Sequence, residues 1–431
     1  MANILLSNFQ EAYRNLTFLP LIEEEEINKF KVKYGTKVIE ELQQLIEDSY
    51  KQNSKVILAG HRGCGKSTLL AELKRQLDAT YFVTFFSISD LIEMSDVNHI
   101  NILFAIAVNL MEEAEKQSIK IKNSTKETFY QWFAEHTQTN IDEYKAELET
   151  GFNFNALFAW IKGVLKTNST IRDEIKIKFE RRISELVNNI NQIATVISVN
   201  CGKPILVIID DIDKIDIDLA KDIFQAHIKA LFQPNFNIVM TIPIAALREV
   251  SLVATLQTET NDQIVQMPVS KLYQKGERNQ PNAQPNATVK AELIAILNKR
   301  IQQNLIEQEA LEKIVIESGG VLRELIRITN ECCRICLRLI RREPDNQDIK
   351  INLDILEEAI NKLSLDFDSR IEVKDYEILK KTYENFKPND PKEQQFLDLL
   401  HGLYILEYRN HELWYDVHPI VVKVLQQKNI I

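Results

Sequence analysis

Apolar positions along this chain switch repeatedly between helical and strand spacing. Lys37 to Gln52 carries Val38, Ile39, Leu42, Leu45 and Ile46 at helical intervals, and the short apolar run Lys55 to Ala59 then ends at a glycine. The expected order there is helix, strand, loop. Ser67 to Leu77, with Leu69, Leu70, Leu73 and Leu77 on one face, predicts an amphipathic helix, and Tyr81 to Phe86 a second strand. Pro204 to Ile209 and Asn237 to Ile242 are continuous apolar runs of strand length, the pattern of parallel strands covered on both faces. A helix from Leu219 to Phe232 is expected between them. Strand and helix in alternation predict an α/β fold with a doubly wound parallel sheet.

The stretch from Ile100 to Val199 is helical almost throughout. Within it, Phe179, Ile183, Leu186, Ile190, Ile193 and Ile197 predict one long helix from Ile175 to Val199. A crossover between parallel strands needs only a dozen or so residues, so a helical insertion is expected at about 115–180. Lys275 to Ala287 is a polar Pro/Asn tract and reads as a linker. Val289 to Leu363 is helical by period, interrupted at Ser318-Gly319-Gly320 and Glu343-Pro344. The last segment reads as a helix (Glu393 to Leu400), two strands (Leu403 to Tyr408 and Leu413 to Val417) around Asn410-His411, and a helix (Val421 to Gln427). The division expected from these patterns is an N-terminal helical segment (1–54), an α/β domain (55–287), a helical domain (288–365) and a small C-terminal domain (366–431).

Composition narrows the class. At 431 residues the chain is long enough for several domains of roughly 100–200 residues. A net charge of -10 argues against chain-wide affinity for polyanions. From Arg370 onward nine basic residues face ten acidic ones, a poor balance for DNA. The N-terminus has no basic segment followed by an apolar one, and no apolar run approaches the roughly 20 residues of a membrane span, so a cytoplasmic location is expected. Five cysteines without regular spacing do not form a disulfide framework, and Cys332, Cys333 and Cys336 read as small buried side chains of one helix.

Glycine is scarce, eleven in all, yet Gly60, Gly63 and Gly65 fall in one short loop. Gly60-His61-Arg62-Gly63-Cys64-Gly65-Lys66-Ser67 fits G-x-x-x-x-G-K-[ST] between an expected strand and an expected helix. Glycines let the backbone curl with its N–H groups inward, and the helix starting near Lys66 points its positive end the same way. The expected ligand is a nucleoside triphosphate with Mg²⁺. Lys66 would reach the β and γ oxygens, Ser67 would coordinate the metal, and Thr68 would add a contact to the α-phosphate.

The run Pro204 to Ile209 ends in Asp210-Asp211-Ile212-Asp213-Lys214. Mg²⁺ prefers oxygen ligands, so Asp210 is the expected second holder of the metal, and Asp211 the residue that orients the attacking water. No Asn-Lys-x-Asp guanine-reading motif occurs, which favours ATP.

In this order of features the chain resembles the AAA+ and STAND ATPases, most closely the branch of Orc/Cdc6-type initiators and bacterial ATPases with Asp-Asp at this strand end. The large insertion and the second aspartate depart from the initiator pattern and resemble both STAND-type signalling ATPases and KAP-like ATPases. The resemblance implies a sensor-1-like role for Thr241 and a lid arginine, Arg323, in Gly319-Gly320-Val321-Leu322-Arg323. It also implies an arginine finger at Arg248 and a winged-helix-like C-terminal domain. Three functions are compatible: an ATP-hydrolysing switch that self-assembles or binds a protein partner in signalling or anti-phage defence, a DNA-associated initiator, loader or transposition regulator, and a nucleotide-binding scaffold without turnover.

Overall fold

The computed structural model describes residues 4–48, 53–138, 154–278, 280, 282–409 and 412–431. They form two compact units, each built from separate stretches of chain. One comprises 37–59 and 70–266, the other 1–36, 60–69 and 267–431.

The first unit holds a five-stranded sheet. Its strands are β1 (Lys55–Gly60), β2 (Phe82–Ser87), β3 (Ile205–Asp210), β4 (Asn237–Pro243) and β5 (Ile264–Met267), in the spatial order β2-β3-β4-β1-β5. β2 runs parallel to β3 from Phe82↔Ile205 to Ser87↔Asp210, and β3 parallel to β4 from Leu206↔Asn237 to Ile209↔Met240. Every residue of β1, β3 and β4 is buried, as continuous apolar runs require. The doubly wound reading therefore holds, with β5, a four-residue strand, as an addition to it.

The helical stretch after β2 contains His99–Lys116, Asn123–Thr137, Phe154–Thr167, Ser169–Glu180 and Ile183–Cys201. Phe104, Phe133 and Phe158 meet edge to face at 5.9 and 6.3 Å, forming an aromatic core for this helical stretch. Residues 139–153 of the expected insertion lie outside the described residues. The single helix expected over Ile175 to Val199 is two. Arg182 donates its N–H to Phe179 O at 2.9 Å, an i to i−3 bond that leaves the α-helical ladder, and a new helix starts at Ile183. The helix expected from Leu219 to Phe232 is likewise divided into Ile217–Lys221, a π-helical turn at Asp222–Ala226, and Ile228–Leu231.

In the second unit the long helix Leu322–Arg342 packs against Ile4–Asn15 and Leu353–Asp368. Cys332, Cys333 and Cys336 are buried in it, and burial pushes all three thiols up, Cys336 to about 12. A further break, at 299–307, divides the helical stretch that begins with Ala287–Asn298. The tract read as a linker is anchored. Arg278 pairs with the buried Asp416 at 3.3 Å, and Asn286 caps the next helix by accepting from Thr288 and Val289 N–H.

The chain ends in Gln394–His401, β6 (Ile405–Arg409), β7 (Leu413–Val417) and Pro419–Gln427, preceded by the helix Asp375–Asn385. β6 and β7 pair antiparallel from Ile405↔Val417 to Arg409↔Leu413. Asn410 and His411, expected between the two strands, lie outside the described residues. Tyr408 stacks on Trp414 at 4.5 Å inside a cluster with Val269, Val321, Leu403 and Leu406, so this aromatic strip is core. No described helix is long and apolar enough to cross a membrane.

Candidate functional site

Strand β1 leads directly into the glycine loop. Gly63 and Gly65 stand at φ +76° and +101°, backbone that L side chains rarely adopt, which is why the loop needs glycine at both. Cys64 is fully buried, and the helix Lys66–Leu77 follows at once. Lys66 is buried too. Its ammonium donates to the carbonyls of Gly60 at 2.9 Å and His61 at 2.8 Å, so it is folded back onto its own loop. Ser67 is half-buried. Thr68 Oγ1 accepts the Leu21 N–H at 3.0 Å, which ties the loop to the N-terminal segment.

Other parts of the same unit close over this loop. The N–H of Arg323 donates to Gly63 O at 3.0 Å, and a Cβ on Gly63 would stand 2.4 Å from Arg323 Cβ. A Cβ on Gly65 would meet Leu322 Cδ1 at 3.0 Å, with Met267 and Tyr34 just beyond. The start of the helix Leu322–Arg342 thus rests on the loop through its backbone, while the Arg323 side chain is exposed. The imidazole of His61 is buried, and its Nε2 accepts the main-chain N–H of Glu407 in β6 at 2.8 Å. Burial also pushes the Tyr34 phenol up, and its oxygen meets Ser270 Oγ at 3.2 Å.

In the sheet unit, β3 delivers three carboxylates. Asp210, Asp211 and Asp213 each offer an oxygen within 4.8 Å of the others, a set of hard donors suited to a divalent cation such as Mg²⁺. Asp211 sits at φ +68°. Its Oδ2 accepts from Ser87 Oγ at 2.7 Å and Ser89 Oγ at 2.9 Å, and its Oδ1 pairs with Lys214 at 2.7 Å. Burial alone would raise this carboxyl, but the Lys214 and Ser87 hydrogen bonds outweigh it and hold the group below the ordinary carboxylate value.

Thr241 is fully buried in β4, and its hydroxyl accepts the Ile212 N–H at 3.1 Å. It pins the turn that carries Asp211 and Asp213. Arg248 is half-buried at the end of the 3₁₀ turn Ile244–Arg248.

Sequence reasoning missed Ser87, Ser89 and Lys214 as partners of Asp211. Ser87 ends β2 and caps the 3₁₀ turn Ile88–Asp90 that carries Ser89, but only the strand order puts this strand end next to β3. It also missed Tyr34 and the link from His61 to Glu407, which joins residues 346 positions apart.

A glycine-bordered lysine loop after β1 and buried carboxylates at the end of β3 of one parallel sheet define a P-loop NTPase. The model of the KAP family P-loop domain matches residues 36–331. The chain belongs to the KAP family of P-loop NTPases. Among solved structures, Cdc6p from Pyrobaculum aerophilum aligns at 10% identity and a TM-score of 0.40, covering 95% of this chain and 97% of that one. A single-substitution variant of RuvB from Thermotoga maritima aligns at 16% identity and 0.38, covering 95% and 99%. No curated protein matches the chain.

Proposed function

We propose that the chain is an ATP-binding and ATP-hydrolysing switch that couples nucleotide state to self-assembly or to a protein partner. The observation that carries this reading is the loop itself: left-handed Gly63 and Gly65, followed by Lys66 with its ammonium on the Gly60 and His61 carbonyls. Those two carbonyls are weak substitutes for phosphate oxygens. An arriving triphosphate would draw the ammonium off them and be solvated by the loop N–H groups of residues 61–68.

Ser67 and Asp210 would hold Mg²⁺, which supplies charge neutralisation at the β and γ oxygens. Asp211 is kept ionised by Lys214, Ser87 and Ser89. A carboxylate so well satisfied is a poor proton sink but a fixed acceptor, suited to orienting a water rather than fully deprotonating it. In this reading Thr241 acts by holding the acidic turn, Arg323 reports the γ-phosphate from the lid (288–365), and Arg248 is the residue to test for action in trans. The winged-helix-like part (366–431) would receive the signal through the bond between His61 and Glu407. A role in signalling or defence, inside the cytoplasm, is the setting this reading favours.

Calorimetry on the intact chain tests the reading. MgATP should bind the wild type and be weakened at least about 100-fold by Lys66→Ala. Absence of MgATP uptake by the wild type would sink it. Light scattering at micromolar protein should show a higher mass with MgATP than without.

A further inference from the structure

Beside the phosphate loop, and wholly inside the unit formed by 1–36, 60–69 and 267–431, lies a cavity of about 500 Å³. That volume falls within the roughly 300–1,000 Å³ of small-molecule sites and far exceeds what a single inorganic ion fills. Arg62 of the loop forms one wall, Arg323 and Arg370 a second, and Leu403 with Tyr404 an apolar third.

Five cationic side chains and five carboxylates line it, and they differ in how they are engaged. Each lining carboxylate has a partner already: Glu324 and Asp366 share Arg327 at 3.3 and 2.8 Å, and Glu372 takes Lys374 at 3.0 Å. Asp375 accepts the Glu372 N–H at 2.8 Å, and Asp398 the Gln394 amide at 2.9 Å. The guanidinium groups of Arg323 and Arg370 have neither an ion pair nor a hydrogen bond among the described residues. Two planar guanidinium groups without a side-chain partner on the wall of the cleft are open to an anion, and guanidinium forks match phosphate oxygens.

We infer that this cavity binds a small organic phosphate, its phosphate on Arg370 and, while no γ-phosphate engages it, on Arg323, with its carbon body against Leu403 and Tyr404. Arg323 also donates its N–H to Gly63 O. An occupant would therefore stiffen the helix start that lies on the phosphate loop, which makes it an effector of that loop and not its substrate. The inference stands on this cavity and does not depend on ATP being the ligand of the loop.

Adenosine monophosphate and adenosine serve as probes in calorimetry of the full chain, with circular dichroism confirming each variant's fold. AMP is expected to bind wild type and Lys66→Ala alike, adenosine to bind neither, and Arg370→Ala to weaken AMP at least tenfold. Arg370→Lys should retain part of the affinity, and Arg370→Ala should take up MgATP as the wild type does. The inference is overturned if AMP gives no heat, if adenosine binds as well as AMP, if Arg370→Ala leaves AMP unaffected, or if AMP binding disappears in Lys66→Ala. Failure of wild type to bind MgATP would defeat the switch reading and leave these outcomes as they stand.

Discussion

His61 Nε2 accepts the main-chain N–H of Glu407 at 2.8 Å, with both groups buried, so the second residue of the phosphate loop holds a strand of the C-terminal hairpin. Removing the ring strands that N–H away from water. His61→Ala is expected to cost about 1–3 kcal/mol, the penalty of an unsatisfied buried donor. Urea denaturation would read it, and limited proteolysis should cut first near β6 and β7. A midpoint equal to wild type would remove His61 as the link.

Gly63 answers to two constraints, its left-handed φ and the 2.4 Å approach of Arg323 Cβ to the place a side chain would occupy. Gly202 is the built-in control: its φ is +71°, and nothing stands within 4 Å of a Cβ there. Gly202→Ala should therefore cost about 1–2 kcal/mol from backbone strain alone, and Gly63→Ala clearly more. Equal losses in chemical denaturation would mean that the loop and the start of Leu322–Arg342 are not in contact in solution.

Asp211→Asn keeps the shape of the side chain and removes its charge. Phosphate release should fall by about 100-fold or more, in the range of a lost water-positioning base, while MgATP uptake stays within a few fold. Turnover unchanged from wild type would take Asp211 out of the chemistry and leave it as the anchor of Ser87, Ser89 and Lys214.

His418 is wholly buried, stacked on Phe367 at 5.3 Å, and its Nδ1 accepts the Ile420 N–H as the cap of the last helix. Burial, with Arg278 and Arg327 adding positive charge, lowers it from 6.5 to about 3. Between those values the unfolded chain carries a proton that the folded chain refuses, so stability falls as pH drops below 6.5. The loss should reach roughly 2 kcal/mol at pH 5. His418→Asn preserves a capping oxygen and should flatten this dependence, which denaturation at pH 7.5 and 5 would measure. An unchanged slope in the variant would assign the pH dependence to other groups.

What the chain announced in its sequence and what it concealed differ for physical reasons. β1, β3 and β4 are legible because strands buried on both faces carry long apolar runs, and β2 because Phe82, Val83, Phe85 and Phe86 still make a run of strand length. β5 is not, since Ile264-Val-Gln-Met267 is too short to establish a period and has two half-buried positions. The break at Arg181-Arg182 hides because Phe179 and Ile183 remain four apart, in phase on either side of it. The phosphate loop is legible because each fixed residue answers to a steric or electrostatic need within eight positions. The partners of Asp211 and His61 are set by strand order and by distant chain, which no local pattern encodes.

The backbone passes from one unit to the other at 36/37, 59/60, 69/70 and 266/267, so the ten-residue excursion Gly60–Leu69 belongs by its contacts to the later half of the chain. A clone that stops at Gln266 would retain the whole P-loop motif yet lose Arg323 and Glu407, the residues that hold Gly63 and His61. By the same token, exchanging the C-terminal half for another would also replace the immediate neighbours of the loop.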